Sequence, residues 1–292
     1  MNVHHMFEKP KAINDENDLE PTGPGTHLRQ SRPACFHNII SPIPAIVWVT
    51  SGTKRVSGAC AKREIPCGSL TLLPEHQPIT VENIPHGNKP YEAQVLAIER
   101  RIFEAAYERV IVSEEARMQT FQSVIVKDQI EEAFLGARLA LAQRHALPDS
   151  IVQNRCEELI LWLADSGVFL SWPTAISFAD RIRSLIAADP GRRWTSAAAG
   201  HAMSQSEASL RRKLRAEGTS FKVVLLEIRM VIALSLLQTT NHKVATIADQ
   251  VGYQSQSRFS HRFKQRFGLN PGLLRQPVST TPIHNTFSIK EP

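Results

Sequence analysis

Near the C-terminus Phe259, Phe263 and Phe267 recur at every fourth residue, with polar and basic side chains between them. On a helix that spacing is one stripe. The rings therefore belong to a core, and Gln256, Arg258, Arg262, Lys264 and Arg266 are expected to face outward. Guanidinium and amide groups in a row suit hydrogen bonding to base edges and phosphates. Just upstream, Val244, Ile247, Ala248 and Val251 make a short apolar face. Gly252 supplies a turn, and Ser255 an N-cap for QSRFSHRFKQRF. A bracing helix, a tight turn and an exposed basic helix are the parts of a helix-turn-helix unit. Its second helix enters the major groove of DNA by its N-terminal half.

The same parts occur once more upstream. Thr195 to Met203 reads as a small-residue helix, Ser204-Gln205 as a turn, and Ser206 as the N-cap of SEASLRRKLRAE. Between the two units, Ser220 to about Thr239 is mostly aliphatic and free of breakers. As a helix it spans roughly 30 Å. Major grooves on one face of a duplex recur at about 34 Å, so such a helix can hold two readers in adjacent grooves. Charge follows the same division. Residues 192–275 carry 14 Lys+Arg against 4 Asp+Glu, a net of +10, in a chain whose net charge is +6. The remainder, with 20 basic and 24 acidic residues, is mildly acidic at −4. Nucleic-acid contact is expected at one end only.

The elements that must position this module come earlier. Residues 1–31 are polar, carry Pro21-Thr22-Gly23-Pro24-Gly25, and read as a flexible arm. From 32 to about 98 the signals are for short strands: Ala45 to Val49 before Ser51-Gly52, Ser69 to Leu73 before Pro74, and Tyr91 to Ile98. A small barrel or sandwich follows, able to hold one small ligand in its mouth. Phe36, Trp48 and Tyr91 are candidates to line that pocket. After Glu99 the pattern turns helical: Arg100 to Val112, Glu114 to about His145, a helix capped by Asp149-Ser150 and ending near Gly167, and about Ala175 to Ala188. Val152, Cys156, Leu159 and Leu163 form one apolar face. Ile151, Ile160 and Trp162 widen it, for core packing or for a second copy of the chain. Asp189-Pro190-Gly191 reads as a hinge.

Some chemistries are disfavoured. His37, His76 and His86 lie far apart with no H-x-H pair, and no metal site is expected. Cys35, Cys60, Cys67 and Cys156 have no C-x-x-C or zinc-finger spacing, which fits reduced thiols. No cofactor is implied. No run reaches the roughly 18 apolar residues of a membrane span, and the first residues lack an apolar secretory h-region, so a cytoplasmic protein is expected.

The pieces of the C-terminal module resemble the AraC/XylS family of bacterial transcription regulators. They are Trp194, Ser206-x-x-x-Leu210-x-Arg212, Glu217-Gly218-Thr219-Ser220-Phe221, Ile247-Ala248, Val251-Gly252-Tyr253, Ser257-x-Phe259-x-x-x-Phe263-Lys264 and Phe267-Gly268-x-x-Pro271. The resemblance covers about Trp194 to Arg275. It implies an α+β protein: an N-terminal cupin-like β-barrel with dimerising helices, residues 32–188, then two helix-turn-helix units joined by a linker helix, residues 189–276, and a tail, 277–292. It further implies a non-enzymatic regulator, an activator in contact with RNA polymerase, acting as a homodimer and controlled by a small-molecule or protein effector. Carried over by position, the base-facing sites are Ala208, Arg211 and Arg212 in the first reader and Gln256, Ser257, Arg258, His261 and Arg262 in the second. Ser206, Ser255 and Lys264 are assigned to phosphates. Ala199 and Gly200 stand where the family usually has leucine and alanine, which predicts a weakened first scaffold helix. A DNA-repair alkyl-transfer protein with the same reader is the alternative; it would need a compact cysteine cluster holding zinc.

Overall fold

A computed structural model describes residues 25–58, 61–110, 121–170 and 176–274. Nine strands come first: β1 (Gly25–Gln30), β2 (Ala34–Ile39), β3 (Ala45–Ser51), β4 (Thr53–Ser57), β5 (Lys62–Pro66), β6 (Ser69–Leu73), β7 (Ile79–Ile84), β8 (Tyr91–Ala97) and, after a first helix, β9 (Ser123–Ile125). They form two antiparallel sheets, ordered β1-β8-β3-β6-β9 and β2-β7-β4-β5. Alternation in β3 explains the layering. Val47 and Val49 point between the sheets, where they meet Val56, Ile65, Ile79, Val81 and Tyr91. Ile46, with Leu70, Leu72 and Leu96, points out of the five-stranded sheet into a second core made with helices. The strands thus form a sandwich of two open sheets; the expected barrel is not closed among the described residues.

Two expectations are corrected here. Gly25–Gln30, read as part of the arm, is an edge strand paired with β8 from Gly25↔Leu96 to Gln30↔Tyr91. The expected long helix from Glu114 is interrupted, because Ser123-Val124-Ile125 pairs with Ser69-Leu70-Thr71 as β9. Its β-branched residues find an open sheet edge, and tertiary pairing overrides the helical pattern. Residues 1–24, 111–120 and 275–292, with most of the expected arm and the tail, lie outside the described residues.

The helices covering the sandwich are α1 (Arg100–Tyr107), α2 (Asp128–Ala142) and α3 (Asp149–Asp165). Val152, Cys156, Leu159, Ile160 and Leu163 of α3 are buried against α1, α2 and the sheet, whereas Ile151 and Trp162 are exposed. The N-cap of α3 is Pro148 and makes no side-chain cap bond; Asp149 sits instead in the first turn, where its charge complements the helix dipole.

Helix α4 (Phe178–Ala187) bridges to the C-terminal module and begins with a capping box between Ser177 and Asp180. The module follows as α5 (Ser196–Ala202), α6 (Glu207–Ala216), the linker α7 (Phe221–Thr239), α8 (Val244–Gln250), α9 (Gln256–Phe267) and a 3₁₀ turn Pro271–Leu274. Each reader has its own core. Trp194, Ala199, Leu210 and Leu214 pack on Val224 and Ile228 in the first. Ile247, Ala248, Phe259, Phe263 and Phe267 pack on Met230, Ala233, Leu234 and Leu237 in the second. The linker α7 contributes one half of its length to each.

Candidate nucleic-acid interface

The second reader is built as its spacing predicts. Phe259 and Phe263 are fully buried and Phe267 nearly so, in edge-to-face and tilted pairs 4.8–5.7 Å apart. This fixes the rotation of α9 about its axis and leaves Gln256, Ser257, Arg258, His261, Arg262 and Lys264 exposed. Ser255 Oγ accepts from the Arg258 backbone N–H at 3.4 Å, capping the helix. A hydroxyl that accepts in this way keeps its O–H to donate elsewhere. Gly268 ends the helix at φ 77°. Arg266 departs from expectation. It lies three residues after Phe263, near the apolar stripe, and donates to His37 O and Asn38 O at 2.8 and 2.9 Å. It faces the sandwich, and burial pulls its pKa down.

The turn of this reader is clamped from the linker. Arg229 of α7 donates to Pro190 O at 3.0 Å, Arg192 O at 2.8 Å and Gly252 O at 3.2 Å. Gly252 has φ 78°, and a Cβ there would collide with the Arg229 guanidinium. Glycine is therefore required twice over, by the turn and by the clamp. The stretch read as a hinge is held by the same residue, and Gly191 nests against Gln250 O, 3.0 Å from where its Cβ would sit.

The first reader has the same plan with smaller parts. Thr195 caps α5 and Ser206 caps α6, each accepting from the N–H three residues on. Ser204 makes the turn at φ 55°. Ala208, Arg211 and Arg212 are exposed, as is Ser206. Gly200 is buried, and a Cβ on it would meet Gln205 O at 2.9 Å. The glycine that looks like a weakness in the sequence is what lets the turn close on α5. Glu207 was missed by positional transfer. It accepts from Ser196 Oγ at 2.6 Å and pairs with Arg211 at 2.5 Å. Its signal was legible: an acid four residues before an arginine.

The three aromatic pocket candidates do not meet. Phe36 packs edge-on against Phe267 at 5.6 Å. Trp48 packs on Phe134 of α2 at 5.4 Å, on the opposite face of the sheet. Tyr91 alone lies between the sheets, with its hydroxyl buried and unpartnered. Beside it stands a residue the sequence did not flag. Lys54 is 2% exposed, lies 5.3 Å from the Tyr91 ring and donates to Asn83 Oδ1 at 2.7 Å. No carboxylate pairs with it among the described residues, and burial lowers its pKa to about 7.

Among the described residues, no cluster of His, Cys, Asp or Glu could hold a metal ion. Cys35 is half-buried on β2, Cys67 is exposed between β5 and β6, and Cys156 is buried in α3. Burial pushes the Cys156 thiol up to about 12. Cys60 lies outside the described residues. No helix among the described residues is long and apolar enough to cross a membrane.

Known proteins share these features. A helix-turn-helix domain model matches residues 200–277. The dual transcriptional regulator Rns of Escherichia coli is 33% identical over 94 residues, covering 32% of this chain and 36% of that protein. The transcriptional activator FapR of Escherichia coli is 34% identical over 118 residues, covering 40% and 44%. The chain thus spans well under half the length of these curated relatives. Over the whole fold, an apo point variant of ToxT from Vibrio cholerae aligns with a TM-score of 0.55 at 17% identity, covering 85% of this chain and 94% of that one. Wild-type ToxT of the same strain, described as unsaturated fatty acid bound, aligns at 0.54, covering 88% and 95%. The sandwich, covering helices and paired readers therefore share the ToxT fold, and residues 200–277 of the C-terminal module match a helix-turn-helix domain.

Proposed function

We propose that the protein is a sequence-specific DNA-binding transcription regulator whose two readers enter adjacent major grooves of one duplex. The observation that carries this reading is the pair of exposed, cation-bearing helices, each behind a bracing helix and turn, at the two ends of one 19-residue linker helix. Ala208, Arg211 and Arg212 read bases in the first groove, and Gln256, Ser257, Arg258, His261 and Arg262 in the second. Arginine suits guanine, glutamine suits adenine, and the Ala208 methyl suits thymine. Ser206 and Ser255, with hydroxyl protons free beside helix N-termini, and Lys264 contact phosphates.

Activation through RNA polymerase is favoured by relatives that are themselves named activators. The protein acts in the cytoplasm as a binding protein without a catalytic step. Residues 32–188 serve as the sensor and pair two copies of the chain, with exposed Leu139, Ile151 and Trp162 as the surface available. For the effector, the chemistry favours an apolar carboxylic acid. Lys54 is a buried cation lacking an anion among the described residues, and Tyr91 offers an unused hydroxyl beside it.

The test is selection of bound duplexes from a random pool at fixed salt, followed by titration of the selected site. Arg258→Ala is expected to weaken the selected site by about 1–3 kcal/mol and to weaken non-specific binding by less, through the lost charge alone. Equal affinity of the wild type for every duplex at that salt contradicts the reading.

A further inference from the structure

We propose that Glu207 is a base-reading residue of the first reader, specifying a cytosine by accepting from its exocyclic amino group. The proposal rests on the DNA-binding reading above and adds a residue and a base to it. Glu207 occupies the first turn of α6, the N-terminal half by which such a helix enters the groove. Its side chain is held before any DNA arrives. Oε1 accepts from Ser196 Oγ at 2.6 Å and pairs with Arg211 at 2.5 Å, while Oε2 has no partner among the described residues. The carboxylate is still 39% exposed, and Arg211 67%. Together with Ala208, Arg212 and Arg215 they line an open hollow on the helix face. Ala208 adds only a methyl group to its lining.

Electrostatics makes the assignment specific. A carboxylate on a helix otherwise charged by Arg211, Arg212, Lys213 and Arg215 works against approach to a polyanion. That cost is offset only where a donor meets it; of the two base-edge donors of the major groove, adenine N6 lies beside the N7 acceptor, which repels a carboxylate, so cytosine N4 is the better partner. Arg211, four residues on, lies about 6 Å further along the axis, within two base steps at roughly 3.4 Å each. Glu207 and Arg211 therefore read pairs no more than two steps apart, a cytosine and then a guanine.

The experiment uses the full chain and the duplex pool described above. The wild type is expected to prefer cytosine at one position of the first half-site by about 5- to 100-fold, the worth of one good base contact. Glu207→Ala flattens that position, keeps the preferences at second-reader positions, and tightens non-specific binding because a negative charge has gone. Glu207→Gln moves the preference at the same position toward adenine, since an amide donates and accepts against N7 and N6. If every base preference survives both substitutions, or only the guanine assigned to Arg211 weakens, Glu207 merely holds Arg211 and the proposal is wrong. If the wild type selects no motif, the DNA-reading function itself fails.

Discussion

At the scale of single residues, the environment of Lys54 carries a measurable consequence. Its folded pKa of about 7 lies below the usual 10.5 because burial penalises the ammonium. Between those values the unfolded chain binds more protons than the folded one, so stability rises with pH across that window. It is lost as pH falls toward 7. Tyr91, whose pKa burial raises, opposes this only above its ordinary value near 10. Between pH 7 and 9 the lysine is therefore expected to add roughly 2 kcal/mol of stability. Denaturant unfolding of the wild type and of Lys54→Met, measured at both pH values, checks it. The variant should show little of that slope and be the more stable at pH 7. An unchanged slope would place the ammonium in a wetter setting than the 2% exposure of Lys54 implies.

At the scale of elements, the turn of the first reader decides a sign. Helix propensity alone says Gly200→Ala gains up to about 1 kcal/mol. The backbone oxygen 2.9 Å from the new Cβ says otherwise, because it belongs to Gln205, whose own N–H donates to Gly200 O at 2.8 Å. Moving that oxygen opens the turn at Ser204. A net loss of about 1–3 kcal/mol, the usual cost of overpacking, is expected. A thermal melt of the variant with a raised midpoint would mean that the turn yields freely. The second reader solves the same problem with Arg229, which caps three carbonyls and ties the linker to the turn and to residues 190–192. That tie is invisible in the sequence, where Arg229 looks like one more cation in a basic module.

At the scale of the whole molecule, the sandwich and the readers are joined by buried polar contacts. Gln238 of the linker donates to Gln30 Oε1 at 2.7 Å, and Asn83 donates to the same oxygen at 3.1 Å. Lys54 donates in turn to Asn83, so a chain of hydrogen bonds runs from the interior of the sandwich to the linker helix. On another side, Arg183 of α4 pairs with Asp180 at 2.8 Å and with Glu227 of α7 at 3.1 Å. The Glu217 carboxylate accepts from the N–H groups of Phe178 and Ala179 at the start of α4. Removing one member of a buried pair strands the other, while removing both can be nearly neutral. Gln30→Leu and Gln238→Leu, combined, are therefore expected to cost less than the sum of the two singles, by about 1 kcal/mol. Additive costs in a double-mutant cycle would deny the coupling.

The readers were legible because their information is local. A phenylalanine every fourth residue, a serine at each N-cap and a glycine at φ 78° fix helix, face and turn within a few residues of one another. The linker length and the charge segregation could likewise be read from the sequence alone. What it misread depended on partners distant in the chain. Arg266 turns toward His37 and Asn38, 229 and 228 residues away. Ser123 to Ile125 becomes a strand because Ser69 to Thr71 leaves an edge unpaired. Phe36, Trp48 and Tyr91 separate into three cores because alternation and sheet order send them to different faces. Sequence by itself determined the helix-turn-helix module, through spacing that any isolated helix would obey. Only the tertiary structure decided what stands behind it: Lys54 beneath Tyr91, Arg229 across the turn, and Gln238 against Gln30. Burial and pairing at long range set those contacts, and no local pattern encodes them.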